Sequence, residues 1–373
     1  MTAIIFMEGG HMVRETALCS DDVEEISSDP DWSAVLAYLP DDWEEMARKL
    51  GAFTRARGFS SPEALLRTLF IHLAEGCSLR ETAVRAKRGE IAEVSDVAIL
   101  KRLRTSEDWL HYLATSLIAF KGEPTSRFRL CAVDATVITE PGSTGTDWRL
   151  HYMLEMPSLT CRHFELTDVR GGESFSRFPI QAGDLLVGDR GYAGIAAIES
   201  VQEKGGDVIV RIPPHGCGRQ TPDGKQFDLL SQAADMSEGE ERSWPVVMKN
   251  KAGAKTSGRV CVYRLDAQSA NAALRKARHE SSRKQHVIRP ATIESCKYVV
   301  LFTTVAQEEL PLGDVFSMYR LRWQIELAFK RLKSLMGFGH LPKHDPVSCR
   351  AWLYGKLLVG LLVESMIRIP FPP

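Results

Sequence analysis

The 373-residue sequence predicts an α/β fold in which a helical N-terminal region precedes a sheet that is interrupted by an insertion. Apolar residues recur at helical spacing after Ser61-Pro62, a pair that suits an N-cap and the first helical position. From residue 127 the pattern changes to strands, beginning with "RFRLCAVDATVI". The runs "DLLVGDRGY", "GIAAIESVQEKGG" and "DVIVRIP" then form a strand, helix, strand unit, which is typical of α/β sheets.

Residues 1–125 are predicted to form the helical N-terminal domain. Ser78 and Glu81 make a capping-box pattern at the start of one helix, and Ser95 can cap the next helix. The two helices resemble a helix-turn-helix, and their Lys and Arg residues give them a face suited to DNA phosphates. A plain helical bundle would show the same pattern, so both interpretations stay open.

The rest of the chain divides around a basic segment. Residues 126–213 form the first part of the predicted core, residues 214–296 form the insertion, and residues 297–373 form the second part. Residues 251–289 contain ten Lys and Arg residues against two acidic residues, although the formal net charge of the whole chain is only −1. We expect this segment to be a phosphate track, with a merely solvated basic face as the alternative.

Composition excludes several other classes of protein. The eight cysteines contain no C-x-x-C pair, so neither a zinc knuckle nor a disulfide framework is indicated. The N-terminus has no basic flank followed by an apolar run, and the best apolar stretch, Leu357 to Val363, is short. We therefore expect a cytoplasmic protein of a bacterial cell that associates with the nucleoid and not with a membrane.

Two aspartates stand where catalytic acids are found. Asp134 lies inside the apolar strand "LCAVDATVI", where a charge is costly unless it is paired, hydrogen-bonded or bound to metal. Asp189 ends the run "LLVGD", at the carboxyl end of a predicted strand, where open α/β sheets place their ligands. The alternatives are a strand-end aspartate that faces solvent and an ordinary turn aspartate.

The third acid, Glu326, lies in the basic run "YRLRWQIELAFKRLKSLMGFGHL". In one continuous helix, at roughly 100° per residue, Tyr319, Arg322, Glu326 and Lys333 share a face. A stripe of apolar residues lies beside that face and is predicted to face the core: Leu321, Ile325, Leu332, Leu335 and Met336. The alternative is a solvated surface with an Arg322–Glu326 pair.

Three carboxylates from separate elements are the hard oxygen ligands that two Mg²⁺ ions require for phosphoryl transfer, with Mn²⁺ as a substitute. The cations around Glu326 would then bind the neighbouring phosphates of DNA, and Arg322 can do so with two parallel hydrogen bonds. The sequence thus favours metal-dependent chemistry on a nucleic acid.

These residues resemble a known family. Tyr319, Arg322, Glu326 and Lys333 match the pattern Y-x2-R-x3-E-x6-K without a gap, and "DATVITEPGSTGTDWRLHY" and "VGDRGY" precede it in the expected order. The sequence is therefore similar to the DDE transposases of the insertion-sequence four group, which includes the Tn-five type enzymes. The resemblance covers roughly residues 60 to 365.

The resemblance implies an RNase H-like catalytic core with a β-rich insertion at 214–296 and a helical N-terminal region that binds terminal inverted repeats. It implies that Asp134, Asp189 and Glu326 are catalytic and bind metal, and that Tyr319, Arg322 and Lys333 hold the transposon end. Members of this family cut DNA and join the freed end to target DNA, often through a hairpin.

The remaining candidates for DNA contact come from the residues around these motifs: Lys330, Trp148, Arg149, Arg190 and Tyr298. Trp148 and Arg149 follow a predicted tight loop and are available for stacking and phosphate contact, although a structural hairpin would explain the loop equally well. Tyr298 begins the strand after the insertion, where a tyrosine is more often part of the core.

The preferred hypothesis is an active Mg²⁺-dependent transposase that works on double-stranded DNA as a homodimer. One rival is a truncated, catalytically idle DNA-binding derivative that inhibits transposition, since the chain ends soon after Glu326. Another rival is an RNase H-like nuclease without strand transfer. The three acids favour the enzyme.

Overall fold

The computed structural model describes residues 30–118, 127–145, 147–214, 218–339, 341–342 and 345–367. Two compact units are present, Met1–Tyr38 and Leu39–Pro373. In the first unit the described residues include helix α1 (Pro30–Leu36). Residues 1–29 and 119–125 of the predicted N-terminal domain lie outside the described residues, as does the end of the chain after residue 367.

The second unit begins with five helices: α2 (Trp43–Lys49), α3 (Pro62–Leu73), α4 (Leu79–Arg88), α5 (Asp96–Thr105) and α6 (Glu107–Ser116). The predicted caps are present, because Ser61 accepts from the Ala64 backbone N–H and Ser78 accepts from that of Glu81. Ser95 caps α5 in the same way. The leucines of α3 are fully buried, so this helix packs by the face that its spacing predicts.

The rest of the unit is built on one mixed sheet of nine strands in the order β3-β2-β1-β4-β5-β9-β8-β7-β6. The strands are β1 (Arg129–Ile138), β2 (Trp148–Glu155), β3 (Thr160–Asp168), β4 (Asp184–Gly188), β5 (Asp207–Arg211), β6 (Gly218–Gln220), β7 (Glu241–Lys249), β8 (Lys255–Arg264) and β9 (Tyr298–Thr303). Helix α7 (Ile195–Glu203) connects the parallel strands β4 and β5. The predicted α/β class and its strand, helix, strand unit are confirmed.

Strands β1 and β4 run parallel, with Arg129 opposite Asp184 and Ala132 opposite Val187. Continuing that register by two residues places Asp134 level with Asp189. Parallel neighbours have their carboxyl ends at the same edge of a sheet, so both aspartates are delivered to one edge.

The segment 214–296 contains β6, β7 and β8 and the helices α8 (Leu229–Gln232), α9 (Ala267–Arg283) and α10 (Pro290–Ser295). Its strands do not form a separate sheet. Strand β8 pairs with β9 and β7 pairs with β8, so the segment extends the central sheet at one edge. Helix α9 has no buried residue, and it therefore presents its charged side chains to solvent.

The predicted single helix around Glu326 is divided in two. Helix α11 (Leu312–Leu321) ends and helix α12 (Trp323–Leu335) begins on either side of Arg322, where i to i+3 hydrogen bonds tighten the backbone. The division changes part of the predicted core stripe. Ile325 and Leu332 are buried, whereas Leu321 and Leu335 are exposed to 40% and 76%.

The last helix, α13 (Pro346–Ile367), packs against α3, α5 and α6. Its length and composition would allow it to cross a membrane, but 72% of its most apolar stretch is buried inside the fold. A Cβ at Gly355 would lie 2.4 Å from the Leu73 side chain, so the two helices approach closely. These contacts are those of a core helix in a globular protein.

A buried ion pair connects the two strands that carry the aspartates. Arg129 Nε lies 2.7 Å from Asp184 Oδ1, and the two side chains are 7% and 1% exposed. Asp184→Ala would leave the guanidinium buried without its partner, so we expect the free energy of unfolding to fall by about 3–5 kcal/mol. Urea denaturation measures this change.

The matched control is Asp223→Ala, which removes an exposed carboxylate that pairs with Lys225 and should leave the stability nearly unchanged. The double variant Arg129→Met, Asp184→Leu should recover much of the loss, because no buried charge remains. Equal losses for Asp184→Ala and the double variant would contradict the role of the unpaired charge.

Candidate active site

Asp134 is positioned by β1 and is largely enclosed, with a side chain that is 16% exposed. Its Oδ1 accepts a hydrogen bond of 2.8 Å from the Ala135 backbone N–H. Burial raises its pKa to about 6, and the nearby charges of Asp189 and Glu173 act in the same direction. To stay ionised at this enclosed position, the Asp134 carboxylate needs a positively charged group nearby.

Asp189 follows β4 and caps the short 3₁₀ turn Arg190–Tyr192. Its Oδ1 accepts from the Gly191 backbone N–H at 2.7 Å, which fixes the carboxylate at the start of the turn. The electrostatic interaction with Asp134 shows that the two predicted acids lie close together. The parallel strand pair therefore brings two of the three predicted acids to one edge of the sheet.

Arg322 connects the third acid to the first. Its Nη1 lies 3.4 Å from Asp134 Oδ2, while its Nη2 donates to Glu326 Oε1. The Arg322 side chain is 18% exposed. Burial acts to lower the pKa of its guanidinium, but the hydrogen bond to Glu326 contributes to a pKa that is raised overall. The one-residue break between α11 and α12 places this side chain between two carboxylates from different elements.

Tyr319 lies on the same side of the site. The Arg322 guanidinium carbon is 6.0 Å from the centre of its ring, a distance that allows a cation–π interaction. Burial raises the pKa of the phenol. Arg322 thus contacts both Tyr319 and Glu326 of the sequence pattern. The fourth member, Lys333, is exposed on α12, as are Lys330 and the turn residue Arg190.

Three residues that were predicted to contact DNA donate hydrogen bonds to other groups of the protein. Trp148 is buried and donates from Nε1 to Glu140 at 3.2 Å. Arg149 donates to the Gly171 carbonyl. Tyr298 is 3% exposed and donates to the Ala233 carbonyl at 3.0 Å, so its ring belongs to the core in this structure. The rings of Trp148 and Tyr298 therefore present no free surface for base stacking, and Arg149 is partly buried.

A cleft of about 370 Å³ opens beside Arg322. Aromatic and basic side chains line it together, among them Arg211, Tyr263, Tyr319, Arg320 and Trp323. The Trp323 side chain is half exposed, which leaves a large aromatic surface accessible. Guanidinium groups next to an accessible indole suit a nucleotide, whose phosphate and base need both kinds of contact.

Two residues near the acids were missed by the sequence analysis. Glu173 follows β3 and interacts electrostatically with both Asp134 and Asp189. The hydroxyl of Tyr192 is fully buried. Burial raises its pKa, and the charges of Asp134, Glu173 and Asp189 raise it further. The only sequence signal was the glycine pair Gly171-Gly172 before Glu173. It indicates a turn but not which part of the fold Glu173 contacts.

The predicted acids are of the chemical type that binds divalent cations. Asp134 and Asp189 supply hard oxygen donors that burial and mutual repulsion make costly to leave unpaired. Among the described residues, no three His, Cys, Asp or Glu side chains stand close enough to share one metal ion, and Arg322 binds Asp134 and Glu326 instead. The guanidinium supplies the positive charge that the carboxylates need.

Comparison with known proteins gives consistent results. The family described as Transposase DDE domain matches residues 168–362. The chain is 35% identical to the transposase for insertion sequence element IS421 of Escherichia coli, over 93% of this chain and 97% of that protein. InsL of insertion sequence element IS186A, from Escherichia coli strain K12, has the same identity and coverage.

More distant similarity extends to the transposase for IS231B of Bacillus thuringiensis subsp. berliner, which is 23% identical over 87% of this chain and 77% of that protein. Among solved structures, the chain is similar to a piggyBac transposase in a synaptic complex with hairpin DNA. That match has a TM-score of 0.46 and 9% identity and covers 89% of this chain and 72% of the other.

The raised pKa of Asp134 predicts a pH-dependent effect of Asp134→Asn on the metal-free protein. The folded state holds the proton up to about pH 6 and the unfolded state releases it near pH 3.8, so the ionised aspartate destabilises the fold above pH 6. Asp134→Asn should therefore raise the free energy of unfolding by about 1–3 kcal/mol at pH 7.5. Near pH 4 it should change it little.

Chemical denaturation in EDTA at the two pH values measures this difference. A destabilising effect of Asp134→Asn at pH 7.5 would show that the Arg322 contact outweighs the burial of the charge.

Proposed function

The chain belongs to the DDE transposases of insertion sequences, and we propose that it catalyses DNA cleavage and strand transfer through Asp134, Asp189 and Glu326. The observation that carries this proposal is the placement of the three acids. The parallel pair β1 and β4 brings Asp134 level with Asp189, and Arg322 bonds to both Asp134 and Glu326. We further propose that the sheet is an RNase H-like core, extended by the insertion 214–296.

The three carboxylates would hold two Mg²⁺ ions, or Mn²⁺ in their place. When bound, Mg²⁺ supplies Lewis-acid stabilisation of the charge that develops on the reacting phosphate. Asp134 and Asp189 lie at the ends of paired strands, so they would form the rigid part of the site that holds these cations. Glu326, whose side chain is 58% exposed, completes the site from α12.

Arg322 would exchange one anion for another during the reaction. In the metal-free chain its guanidinium neutralises Asp134 and Glu326. A DNA phosphate offers the same planar group two acceptors, and release of the carboxylates would make their oxygens available to the cations. Tyr319 supports the guanidinium from the side of the cleft.

The cleft beside Arg322 is the proposed site for a nucleotide at the transposon end. Trp323 supplies an accessible indole, and Arg211 and Arg320 supply charge for the backbone. Lys330 and Lys333 continue this basic surface along α12. The pocket is large enough for an unpaired base, which fits chemistry that distorts the DNA end.

We propose two further DNA contacts. Helix α9 exposes a group of cations for which no hydrogen-bond or ion-pair partner is found among the described residues: Arg275, Lys276, Arg278 and Arg283. The N-terminal helices α4 and α5 would read the terminal inverted repeats, although Arg85, Lys87 and Arg104 already pair with acidic residues. The exposed Arg88 and Lys101 are the remaining basic contacts of that pair.

We infer a homodimer in the complex that joins two transposon ends, because a DDE active site acts on one end at a time. The proposed location is the bacterial cytoplasm, where the nucleoid provides both donor and target DNA. These assignments follow from the proposed reaction on double-stranded DNA.

Cleavage of DNA that carries the element's own end tests the proposal. With Mg²⁺, the wild type should produce nicks and joined products. Asp189→Ala and Glu326→Ala should each bind the end but lose cleavage by at least about a hundredfold, because each removes a carboxylate that would hold the divalent cation. Gel analysis of labelled ends measures both products.

Glu203→Ala, on the exposed side of α7, is the matched control and should cleave like the wild type. A wild type that binds the end without cutting would identify an idle DNA-binding derivative. Nicks without joined products would identify a nuclease. Either outcome would reject transposition by this chain.

The role of α9 predicts a salt-dependent loss of DNA affinity. Replacing Arg275, Lys276 and Arg278 with Gln should weaken binding and reduce the slope of log affinity against log salt by about 0.9 for each phosphate contact removed. Fluorescence anisotropy across a salt series measures the slope. Because none of these side chains is buried, folding should be unaffected.

Lys225→Gln is the control for that series, since Lys225 is exposed but already pairs with Asp223 at 2.9 Å. It should leave the salt slope unchanged. An unchanged slope in the α9 variant would show that this helix is only a solvated basic face.

A further inference from the structure

A second polar surface lies where the chain leaves β3. This strand runs antiparallel to β2, and β2 runs antiparallel to β1, so β3 ends at the same edge of the sheet as the strands that carry Asp134 and Asp189. Residues 169–177, which we call the 169–177 loop, follow directly after Asp168. The basic and hydroxyl side chains of this loop have no role in the site described above.

The alternation of side chains along β2 and β3 decides which face of the sheet the loop covers. Tyr152 lies opposite Asp134 on β1 and opposite Phe164 on β3. Its ring contacts that of Phe329 on α12, with the ring centroids 6.0 Å apart, so this side of the sheet is the α12 face. Glu165 follows Phe164 directly and therefore points to the other face.

Hydrogen bonds hold the 169–177 loop on that other face. Arg177 Nη1 donates to both carboxylate oxygens of Glu165, at 3.0 and 3.1 Å. Arg177 Nε donates to the Gly172 carbonyl at 2.6 Å. Arg149 on β2 donates to the Gly171 carbonyl. These bonds tie both the backbone and the guanidinium of the loop to the sheet.

A polar cleft of about 510 Å³ opens between the loop and β3. It is lined by His163, Glu165, Ser174, Ser176 and Arg177. The two serine hydroxyls are 2.7 Å apart, and Ser176 is exposed. The Arg177 side chain is 23% exposed, and no partner for its Nη2 is found among the described residues. Hydroxyl and guanidinium groups of this kind are the usual contacts of a DNA phosphate.

The charges of the loop also suit a phosphate backbone. Arg170 is exposed at the start of the loop, and the described part of the chain offers its side chain no ion-pair partner. The acidic residue of the loop, Glu173, reaches the turn after Asp189, because its Oε2 is the atom that a Cβ at Gly191 would meet first. The loop therefore adjoins the edge that carries the aspartates and presents cations beside it.

We infer that the 169–177 loop binds the phosphate backbone of the target DNA, an inference that rests on the proposed function. The cleft proposed for the transposon end lies beside Arg322, which bonds to Asp134 on the α12 face. Strand transfer brings a second duplex to the same edge, and the face opposite α12 is the other approach to it. Arg170, Ser176 and Arg177 would hold that duplex without reading its sequence.

Joining of a pre-cleaved transposon end to a plasmid of unrelated sequence tests the inference in the full-length protein. Arg170→Gln combined with Ser176→Ala removes two exposed groups, so folding should be unaffected. This double variant should need about tenfold more plasmid for half-maximal joining and reach the same maximum, because it loses target contacts but no group at the reacting phosphate. Lys204→Gln, an exposed position after α7 at the opposite edge of the sheet, should behave like the wild type.

Fluorescence anisotropy with two labelled duplexes separates the possible DNA partners. The double variant should bind a duplex of random sequence more weakly, and the slope of log affinity against log salt should fall by about 0.9 for the phosphate contact of Arg170. Its affinity for the element's own end should match that of the wild type. An equal loss on both duplexes would assign the loop to the transposon end, and an unchanged affinity for the random duplex would remove the contact altogether. Either result would overturn the inference.

The two measurements distinguish failure of this inference from failure of the proposed function. A wild type that joins no ends would reject strand transfer by this chain, while binding of the random duplex needs no catalysis and still decides whether the loop contacts DNA. If the wild type joins ends and the double variant needs no more plasmid, strand transfer stands and the loop contact is rejected.

Discussion

The site depends on the parallel pairing of β1 and β4. Arg129 and Asp184 lock the start of that pair with a buried ion pair, and the register they set brings Asp134 and Asp189 to the same edge. Two carboxylates at adjacent strand ends repel each other, and burial of Asp134 adds to the cost. In this structure the Arg322 guanidinium, with Nη1 3.4 Å from Asp134 Oδ2, supplies positive charge at this edge.

Much of this arrangement could be predicted because it is local. The caps at Ser61, Ser78 and Ser95 depend on residues three positions away, and the sequence displays them directly. Asp134 and Asp189 were recognisable since each interrupts or ends an apolar strand. The family pattern added Glu326, which no periodicity could have connected to the two aspartates.

The rest depends on contacts between distant segments. Tyr298 becomes a core residue because the Ala233 carbonyl, 65 positions away, accepts from its hydroxyl. Residues 314–336 contain neither Pro nor Gly, so the sequence gives no indication of a helix break at Arg322. Glu173 enters the site through the turn after β3, and its position depends on the glycine at 191. Spacing along the chain carries none of this information.

Arg322 connects two of the three predicted acids. The same guanidinium binds Asp134 and Glu326, so under the proposed function a DNA phosphate that competed for it would release both carboxylates together. Asp134 lies in the sheet and Glu326 in a helix. Among the described side chains, the Arg322 guanidinium is the group that bonds to both. Under the proposed function, a DNA phosphate that takes the guanidinium and a cation that takes the carboxylates would each favour the binding of the other.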